Sequence, residues 1–472
     1  MIAPARALAF EVVRATFEQG AFTERAFREA ADTARLDGRD RAQAQRLAYG
    51  AVQRRGTSDA AIERLAERPA GRLDPPLQAA LRVGLYELVF ADGTPDHAAV
   101  DQAVELVKRA GAAHAAGLVN AVMRRAARER EALVAELLGD DSTPERAAIA
   151  HSAPLWLARM WWEELGAESA RSLLVACNEP AEVAMRVDIR RGDRERTVAR
   201  LREAGVDASP AEGGWPLNSP EMIVFSGRAG DPVPAMVAAG ELTPQSRGSA
   251  AVVEVLDPAP GDNVLDLCAG PGTKTGQIAA RRDDRGETIS VEVDGERAAQ
   301  VAEQARRLGL RSVTVIEADA SEGQVAADYD RALVDAPCSD LGTLASRPDA
   351  RWRKSPKAIE RLAEVQGAIL AGAARALRPG GVLVYSTCTI SRRENEDVVV
   401  ALLEAAGRGE VPALEVDKLG ARAPELASEV DDRFLQIRPD RDRTTGFFIA
   451  RLRRPERGRG QTSMPPPTST SG

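Results

Sequence analysis

Residues 263–274 read NVLDLCAGPGTK. The stretch NVLDLC has the composition of a short buried strand, and a glycine-rich turn leads from it to Lys274, where a helix begins. Gly270 and Gly272 allow a tight turn and a close approach of the backbone to a ligand, and the first amides of the helix offer hydrogen-bond donors. Taken alone, such a turn is a weak signal because dinucleotide-binding enzymes share it. It predicts an α/β fold with a ligand at the end of this strand.

Outward from this turn, residues 241–455 alternate apolar strands with helices. The predicted strands are, in order, NVLDLC, ETISVEV, SVTVIEAD, RALVDA, GVLVYST and GFFIARL. Their lack of polar alternation is typical of a parallel sheet that is covered on both faces. The region therefore predicts a Rossmann-like, doubly wound α/β domain, which binds its ligand beyond the carboxyl ends of its strands.

The remaining parts of the chain have different patterns. In residues 1–140, apolar side chains recur every three or four residues, as in ALAFEVVRATF, and this spacing predicts an all-α helical domain. Residues 141–240 predict a small α+β linking subdomain with the strands VAMRVDIR and MIVFSG and the helix RERTVARLREAGV. Residues 456–472 cannot bury a core and predict a disordered tail.

The composition bounds the class of protein. The chain has 472 residues, of which 44% are hydrophobic and 28% charged, as in a globular protein of about two or three domains. No run approaches the roughly 18 to 20 apolar residues of a membrane helix. The amino-terminal stretch acquires charge too early for a signal peptide. We therefore expect a cytoplasmic protein with no membrane partner.

Cysteine and histidine limit the chemistry. The four cysteines, Cys177, Cys268, Cys338 and Cys388, include no CxxC pair and have no histidine nearby. A disulfide scaffold and a zinc site are both disfavoured, so we expect unbridged thiols and no metal. All three histidines lie in the first third of the chain, so reactions in the later part proceed without imidazole.

A basic track lies between the fourth and fifth predicted strands. Its charged members are Arg347, Arg351, Arg353, Lys354 and Lys357, with Trp352 among them, and the expected RNA contacts are Arg347, Arg351, Trp352, Arg353 and Lys354. Positive charge beside an aromatic ring suits single-stranded bases of RNA. The net charge of −8 argues mildly against a nucleic-acid partner, although it does not exclude a local basic surface. A solvated arginine-rich loop is the alternative interpretation of the same residues.

The predicted ligand site favours one type of cofactor. Glu292 ends the second strand, where an acid can accept hydrogen bonds from ribose, and Asp319 follows the third strand, where it can meet an adenine amine. Asp294 competes with Glu292 for the ribose role. The turn lacks the Gly-x-Gly-x-x-Gly pattern of nicotinamide sites, and its GPGTK suits S-adenosylmethionine, which needs a nearby acid and open backbone donors. The loop residues concerned are Cys268, Ala269, Gly270, Pro271, Gly272, Thr273 and Lys274.

Three segments carry a family resemblance. LDLCAGPGTKT, LVDAPCSDLGT with RPDARWR, and VYSTCTISRRENE resemble the signatures of RNA cytosine-5 methyltransferases of the Sun/Fmu (RsmB) type. The helical amino-terminal part, with GLVNAVMRR at 117–125, resembles the NusB-like domain of the bacterial ribosomal RNA members. The resemblance extends to about residue 452. It implies S-adenosylmethionine-dependent formation of 5-methylcytosine in small-subunit (16S) ribosomal RNA. A transfer RNA or DNA substrate, or a non-catalytic RNA-binding assembly factor, are the alternatives.

The resemblance also implies residue roles. Carbon 5 of cytosine is a poor nucleophile, so a thiolate must first add to carbon 6. Cys388 looks like this nucleophile, Cys338 like the second cysteine that assists product release, and Asp335 like the acid at ring N3. DNA enzymes place the nucleophile in a segment that resembles 337–338, and physics alone leaves the choice open, although the presence of a second cysteine favours Cys388. Lys274 is a candidate for orienting the loop or the acid.

The resemblance places the cofactor contacts in the loop at 268–274 and at Glu292, Asp319 and Asp335. This chain departs from the family pattern at three positions. Thr273 and Asp340 stand where the family usually has glycine, and Glu292 stands where it usually has aspartate. None of these changes removes a required functional group.

Overall fold

The structure, a computed structural model, describes residues 2–91, 93–227, 230–322 and 328–456. The chain forms two compact units. The helical unit consists of the described residues up to Ala181 together with Ser339–Ala358 and Arg438–Arg443. The sheet unit consists of Glu182–Cys338, Ile359–Ile437 and the described residues from Thr444 onward. The tail predicted to be disordered lies, from residue 457, outside the described residues.

The secondary structure of the described chain is as follows. The α-helices are α1 (Pro4–Glu18), α2 (Thr23–Ala34), α3 (Gly38–Gln53), α4 (Arg55–Ala66), α5 (Pro75–Val89), α6 (Asp96–Arg109), α7 (Ala116–Arg128), α8 (Arg130–Leu138), α9 (Pro144–Ala150), α10 (Leu155–Ala176), α11 (Arg194–Glu203), α12 (Pro232–Ala238), α13 (Arg247–Leu256), α14 (Thr273–Arg281), α15 (Gly295–Leu308), α16 (Ala350–Arg353), α17 (Pro356–Ala376), α18 (Glu396–Gly407), α19 (Leu419–Arg422) and α20 (Pro439–Asp442). The strands are β1 (Val183–Val187), β2 (Ala208–Pro210), β3 (Met222–Phe225), β4 (Leu242–Pro244), β5 (Val264–Leu267), β6 (Thr288–Glu292), β7 (Val313–Glu317), β8 (Tyr329–Asp335), β9 (Leu377–Thr387), β10 (Glu415–Val416), β11 (Leu435–Ile437) and β12 (Phe447–Arg453). In this part of the chain, no helix combines the length and hydropathy needed to cross a membrane.

The helical unit is built on apolar stripes that follow the helical period. On α1, Leu8 and Val12 pack into one buried cluster with Phe27 of α2. Phe10 and Val13 of the same helix pack into a second, larger cluster. Residues three or four apart share a helix face, so two adjacent stripes allow α1 to contact two layers of neighbours. The predicted helical domain is confirmed.

The sheet unit begins with a small antiparallel sheet of strand order β2-β3-β1-β4. The predicted strands VAMRVDIR and MIVFSG contain β1 and β3, which pair with Val183 opposite Phe225. The predicted helix is α11, whose Leu201 packs with Met185 and Ile223 in one apolar cluster. The α+β character predicted for this region is therefore confirmed.

A larger sheet follows, with strand order β10-β12-β9-β8-β5-β6-β7 and with β11 paired to β12. Strand β5 pairs in parallel with β6 on one side and with β8 on the other. The direction of winding reverses at β5, and ligands of doubly wound sheets bind beyond the carboxyl ends of strands at such a point. All four residues of β5 are buried, as expected of a strand covered on both faces. The predicted Rossmann-like, doubly wound fold is confirmed.

Strand β12 differs from the sequence prediction. It was expected to be a parallel strand, yet it runs antiparallel to β9, with Phe448 opposite Thr387 and Leu452 opposite Leu383. Its residues from Phe447 to Ala450 are buried without a polar alternation. A strand covered on both faces has the same apolar pattern in either direction, so hydrophobicity could not distinguish the two.

Candidate active site

The loop between β5 and α14 is shaped by two glycines. A Cβ atom on Gly270 would lie 2.6 Å from Oε2 of Glu292, and one on Gly272 would lie 3.0 Å from Cα of Val301. Gly272 also has a φ of 96°, in the left-handed region, and immediately precedes α14. Larger residues would therefore displace the loop from its neighbours. The tight turn predicted for these glycines is present in the structure, and the approach of this backbone to a ligand stays a prediction.

Glu292 contacts the loop from the end of β6. Its side chain is buried, and its carboxylate accepts hydrogen bonds from the N–H of Gly270 at 2.9 Å and from the N–H of Asp294 at 3.2 Å. Asp294, the competing acid, instead caps α15, where Oδ1 accepts the N–H of Arg297 at 2.9 Å. Of the two acids, Glu292 is the one whose carboxylate contacts the loop.

A cationic and a hydroxyl side chain orient Asp335 at the end of β8. Lys274 Nζ donates to Oδ2 of Asp335 at 2.6 Å, and Ser386 Oγ donates to Oδ1 at 2.8 Å. The ammonium group also lies 4.9 Å from the ring centre of Phe447. Lys274 is buried, so this ion pair is shielded from solvent on the lysine side. Of the two roles considered for Lys274, its hydrogen bond to Asp335 matches the orientation of the acid.

Cys338 and Cys388 lie side by side although fifty residues separate them. Their Sγ atoms are 3.3 Å apart. Cys338 follows β8 and Cys388 follows β9, and these strands are parallel neighbours with Asp335 opposite Ser386. Cys338 is buried and Cys388 is half-buried, and within the described chain no cysteine forms a disulfide. The two thiols are close enough to act on neighbouring atoms of one substrate.

A buried polar frame supports the two cysteine segments. Gln366 Nε2 donates to the carbonyl of Pro337 at 2.8 Å and to Oε1 of Glu394 at 3.2 Å. Thr387 Oγ1 donates to Oδ1 of Asn395 at 2.6 Å. The side chains of Gln366, Thr387, Glu394 and Asn395 are all fully buried. Sequence reasoning missed this frame, because a polar residue after an apolar run looks like an ordinary loop residue.

Asp266 is a second feature that sequence reasoning missed. It lies fully buried inside β5, and burial raises its pKa to about 7 even though the Thr275 hydroxyl donates to Oδ2 at 2.6 Å. Its Oδ1 atom has no hydrogen-bond partner among the described residues. The available signal was a single acid inside the apolar stretch VLDL. A carboxyl in this environment favours its protonated form.

Arg186 of β1 connects the small sheet to the loop and was also missed. It is fully buried, and burial lowers its pKa to about 10. Its Nε donates to Oε1 of Gln245 at 2.8 Å, and Nη2 lies 3.5 Å from the carbonyl oxygen of Thr273. Gln245 Nε2 in turn donates to Oε1 of Gln277 on α14 at 2.6 Å. These polar contacts join β1, the loop and α14.

Two further predicted residues of the sheet unit differ in exposure. Asp319 is exposed after β7, and its Oδ1 accepts hydrogen bonds from the hydroxyl and the N–H of Ser321, which lower its pKa. Cys268 opens the loop with a φ of 63°. Burial, followed by the charges of Glu292 and Asp335, raises the pKa of the Cys268 thiol well above its ordinary value. This thiol therefore stays protonated at neutral pH.

The residues predicted to bind RNA lie in the helical unit and are not equally accessible. Arg351 is 1% exposed, and its guanidinium donates to main-chain carbonyls of the same unit, including that of Cys177 at 2.9 Å. Trp352 is half-buried, and its indole N–H donates to the carbonyl of Val52 at 2.9 Å. Arg353 donates to the carbonyl of Gly20 at 2.8 Å. The buried position of Arg351 does not suit the RNA contact expected of it.

Arg347 has the exposed charge among these residues, whereas Lys354 is half-buried, as is Arg353. Arg347 is exposed, and its Nη1 atom lies 3.6 Å from Oδ1 of Asp340. Lys354 Nζ lies 3.9 Å from Oδ2 of the same carboxylate. Asp340, the departure from the family glycine, thus pairs with two members of the basic track. The charge of Arg347 is exposed, and its ion pair therefore contributes little to stability and can exchange partners.

Family comparisons assign all three regions of the chain. The model described as 16S rRNA methyltransferase RsmB/F matches residues 253–453. The NusB family model matches residues 3–128, and a model of the ferredoxin-like domain of RsmF/B-like methyltransferases matches residues 153–215. The loop at 268–274, Glu292, Asp335, Cys338 and Cys388 all lie in the methyltransferase match. Arg186 lies in the match to the ferredoxin-like domain.

Two individual proteins resemble the chain over nearly its full length, and a third resembles 64% of it. The probable ribosomal RNA small subunit methyltransferase B of Synechocystis sp. is 31% identical over 455 residues, which are 95% of this chain and 99% of that protein. The crystal structure of PH0851 shares the fold, with a TM-score of 0.79, 24% identity and coverage of 96% of this chain and 99% of that one. NSun6 from Pyrococcus horikoshii, solved with SFG, has a TM-score of 0.55 and 23% identity, covering 64% of this chain and 98% of its own.

Proposed function

The chain belongs to the RsmB/F family of 16S rRNA methyltransferases, and from this premise we propose that it forms 5-methylcytosine in small-subunit ribosomal RNA through a covalent adduct with Cys388. The family makes it an RNA methyltransferase with an S-adenosylmethionine-type donor. The choice of cytosine as the methylated base, the covalent adduct and the 16S substrate are what we propose beyond the family assignment. The pair of sulfur atoms 3.3 Å apart at one sheet edge is the observation that carries it.

The first step of the proposal uses Cys388 and Asp335. The thiolate of Cys388 adds to carbon 6 of the cytosine, and the electrons of the ring double bond make carbon 5 nucleophilic. Asp335 acts as the acid at ring N3: a proton passes from its carboxyl group to N3 as the bond between sulfur and carbon 6 forms, and N3 returns this proton when that bond breaks. Lys274 and Ser386 hold its carboxyl group in one orientation. Carbon 5 then accepts the methyl group.

The second step of the proposal uses Cys338. After methylation, carbon 5 still carries its proton. When a general base on the protein removes this proton, the ring double bond re-forms and the bond between carbon 6 and sulfur breaks. Cys338 takes this proton as a thiolate, and Cys388 leaves as a thiolate. No histidine lies in the sheet unit, so a thiol is available here where imidazole is not.

The donor site fits a cationic cofactor. S-adenosylmethionine, when bound, supplies an electrophilic methyl group on its sulfonium. The backbone of 268–274 has no side chain at Gly270 and Gly272. This backbone would bind the cofactor, and so would the carboxylates of Glu292, Asp319 and Asp335. Carboxylates near the loop attract the positive sulfonium and amine, and open N–H groups attract its carboxylate.

RNA contact is assigned to the accessible part of the basic track. Arg347 and Lys354 are proposed to hold phosphate or base edges of an unpaired cytosine region, because their charges are less buried than that of Arg351. The base must leave any stack to reach a thiol at the end of a strand. The helical unit as a whole, which matches the NusB family, is proposed to contribute to RNA binding.

Substitution of each cysteine distinguishes their roles. We expect Cys388→Ser to abolish methyl transfer and to form no adduct. We expect Cys338→Ser to transfer one methyl group and then to remain attached to RNA, because the proton at carbon 5 is not removed. Denaturing gels with labelled RNA detect the adduct, and methyl transfer from labelled S-adenosylmethionine gives the rate.

Cys177→Ala is the matched control, since Cys177 is buried in the helical unit and burial raises its pKa to about 12. It should retain wild-type turnover without an adduct. Normal turnover by Cys388→Ser would refute the proposed nucleophile. An adduct formed by Cys388→Ser but not by Cys338→Ser would assign the nucleophile to Cys338.

A further inference from the structure

Cys388 is the first residue beyond the paired part of β9. The ladder between β9 and β8 runs to Ser386, which lies opposite Asp335. The ladder between β9 and β12 runs one residue further, with Thr387 opposite Phe448. Strand pairing therefore fixes the backbone up to the residue before the cysteine. The position of the sulfur atom also depends on contacts made beyond the two ladders.

The side chain of Asn395 contacts the residues on both sides of Cys388. Its Oδ1 accepts a hydrogen bond from Oγ1 of Thr387 at 2.6 Å. Its Nδ2 donates to the carbonyl oxygen of Thr389 at 3.2 Å. Asn395 and both threonines are fully buried, so these bonds form away from bulk water. One amide group thus spans the three consecutive residues that have the proposed nucleophile at their centre.

The amide group of Asn395 is itself held by β11. Its Nδ2 also donates to Oε1 of Gln436 at 3.0 Å. Gln436 is buried, and its Nε2 donates to the carbonyl oxygens of Ile437 and Phe447 at 3.2 Å each. Strand β11 pairs with β12, which belongs to the large sheet. Because the oxygen and both hydrogens of the amide have partners, these contacts favour a single orientation of the group.

Helix capping does not account for an asparagine at this position. Asn395 immediately precedes α18, where an asparagine side chain commonly accepts an N–H group of the first helical turn. Among the described residues, its side chain makes no such bond. Its hydrogen bonds go instead to the segment around Cys388 and to β11. The contacts that its side chain does make therefore indicate a role at the nucleophile.

We infer that Asn395 is a positioning residue for the nucleophile, whose amide holds the sulfur of Cys388 in place for addition to carbon 6 of the cytosine. This inference rests on the proposed function. Asn395 acts through the residues on either side of Cys388, and all of them belong to the sheet unit. Loss of the amide should therefore slow formation of the adduct and leave the release step, proposed for Cys338, unchanged.

The test uses small-subunit ribosomal RNA transcribed with 5-fluorocytosine. The sulfur of Cys388 adds to carbon 6, carbon 5 takes the methyl group of S-adenosylmethionine, and S-adenosylhomocysteine leaves. Carbon 5 then carries fluorine and methyl and no proton, so the ring double bond cannot re-form and the adduct persists. Denaturing gels count each addition, and the release step does not enter the measured rate.

Asn395→Leu removes the amide and keeps a similar side-chain volume. We expect its rate of adduct formation at saturating RNA and S-adenosylmethionine to fall about tenfold, because a displacement of order 1 Å in a reacting group can cost up to roughly a hundredfold. The dissociation constant for S-adenosylmethionine, measured by calorimetry, should change by less than about twofold, because the amide bonds to residues outside the loop at 268–274. Thr387→Val, which removes one of the bonds, should slow the adduct by a smaller factor.

Thr288→Val is the matched control for Thr387→Val. Thr288 is also fully buried, and its hydroxyl oxygen accepts a hydrogen bond from Arg282. It begins β6, whereas the two cysteines follow the carboxyl ends of strands parallel to β6. The same substitution thus removes a buried hydrogen bond at the opposite edge of the sheet. This variant should lose stability in urea and form the adduct at the wild-type rate.

The possible outcomes separate the inference from the proposed function. Wild-type protein that forms no adduct with the fluorinated RNA refutes the proposed function itself. A wild-type rate of adduct formation by Asn395→Leu overturns the inference alone, and so does equal slowing by Thr387→Val and Thr288→Val, which would make lost stability the cause. Weaker binding of S-adenosylmethionine by Asn395→Leu also overturns it, in favour of a role at the donor site. If Asn395→Leu does not fold, Thr387→Val decides, and a wild-type rate in that variant counts against the inference.

Discussion

At the scale of single residues, Asp266 shows how strongly the fold can alter a side chain. A carboxyl fully buried in a central strand loses its hydration, and this raises its pKa to about 7. The Thr275 hydroxyl donates a hydrogen bond to this carboxyl at 2.6 Å. The neutral form is therefore favoured in the folded protein over much of the acidic range. The unfolded chain ionises the same group near its ordinary pKa.

This difference predicts a pH-dependent stability. Below about pH 4 Asp266 is protonated in both states, and between about pH 4 and pH 7 only the unfolded state loses the proton, so the free energy of unfolding falls as pH rises. We expect Asp266→Asn to remove this loss. Its free energy of unfolding relative to wild type should increase by roughly 3 kcal/mol between pH 5 and pH 8. Urea denaturation at both pH values measures it, and parallel pH profiles for the two proteins would contradict the assignment.

At the scale of elements, α13 packs closely against the start of β12, and β12 in turn contacts Lys274 of the candidate site. A Cβ atom on Gly248 of α13 would lie 2.6 Å from the carbonyl oxygen of Thr445 and 2.9 Å from Cδ2 of Phe447. The ring of Phe447 lies 4.9 Å from Nζ of Lys274, which donates to Asp335. The close approach of α13 to residues 445–447 therefore affects the position of Lys274, the hydrogen-bond partner of Asp335.

Gly248→Ala tests this contact. Alanine normally stabilises a helix relative to glycine by up to about 1 kcal/mol, yet here we expect a loss of about 1–3 kcal/mol because a backbone oxygen must move. Methyl transfer should also slow, since Phe447 and Lys274 shift together. Gly367→Ala in α17 is the control, because a Cβ atom there has nothing within 4 Å. Thermal and urea unfolding compare the two, and equal effects on stability would refute the predicted clash.

At the scale of the whole molecule, a net charge of −8 means that RNA affinity cannot come from the overall charge. We propose that it comes from local groups such as Arg347 and Lys354, which lie near the carboxylate of Asp340. The family match over both the helical and the sheet regions favours ribosomal RNA as the substrate.

Mapping of 5-methylcytosine tests the substrate. Bisulfite sequencing of RNA from a strain that lacks this protein should reveal loss of methylation in small-subunit ribosomal RNA and none in transfer RNA. Complementation with wild-type protein should restore the mark, and Cys388→Ser should not. Loss confined to transfer RNA would reassign the substrate within the same chemistry, because the cysteine pair would act in the same way on either RNA.

Features that depend on a few neighbouring residues could be predicted from the sequence alone. Apolar runs predicted the strands, the helical period predicted the helices, and the glycine-rich turn at 268–274 predicted a close backbone approach, because each depends on local backbone preference and burial. Glu292 was identified as a candidate by its place at a strand end. These features include most of the fold and the candidates Lys274, Glu292, Asp335, Cys338 and Cys388, and they leave out Asp266, Arg186 and the buried polar frame.

The tertiary structure alone decided which distant residues meet. The 3.3 Å separation of Cys338 and Cys388 depends on the parallel pairing of β8 and β9. The antiparallel direction of β12 and the burial of Arg351 also depend on contacts with segments far away in the chain. Hydrophobicity reports whether a residue is covered and not by which partner, so these pairings could be read only from the folded chain.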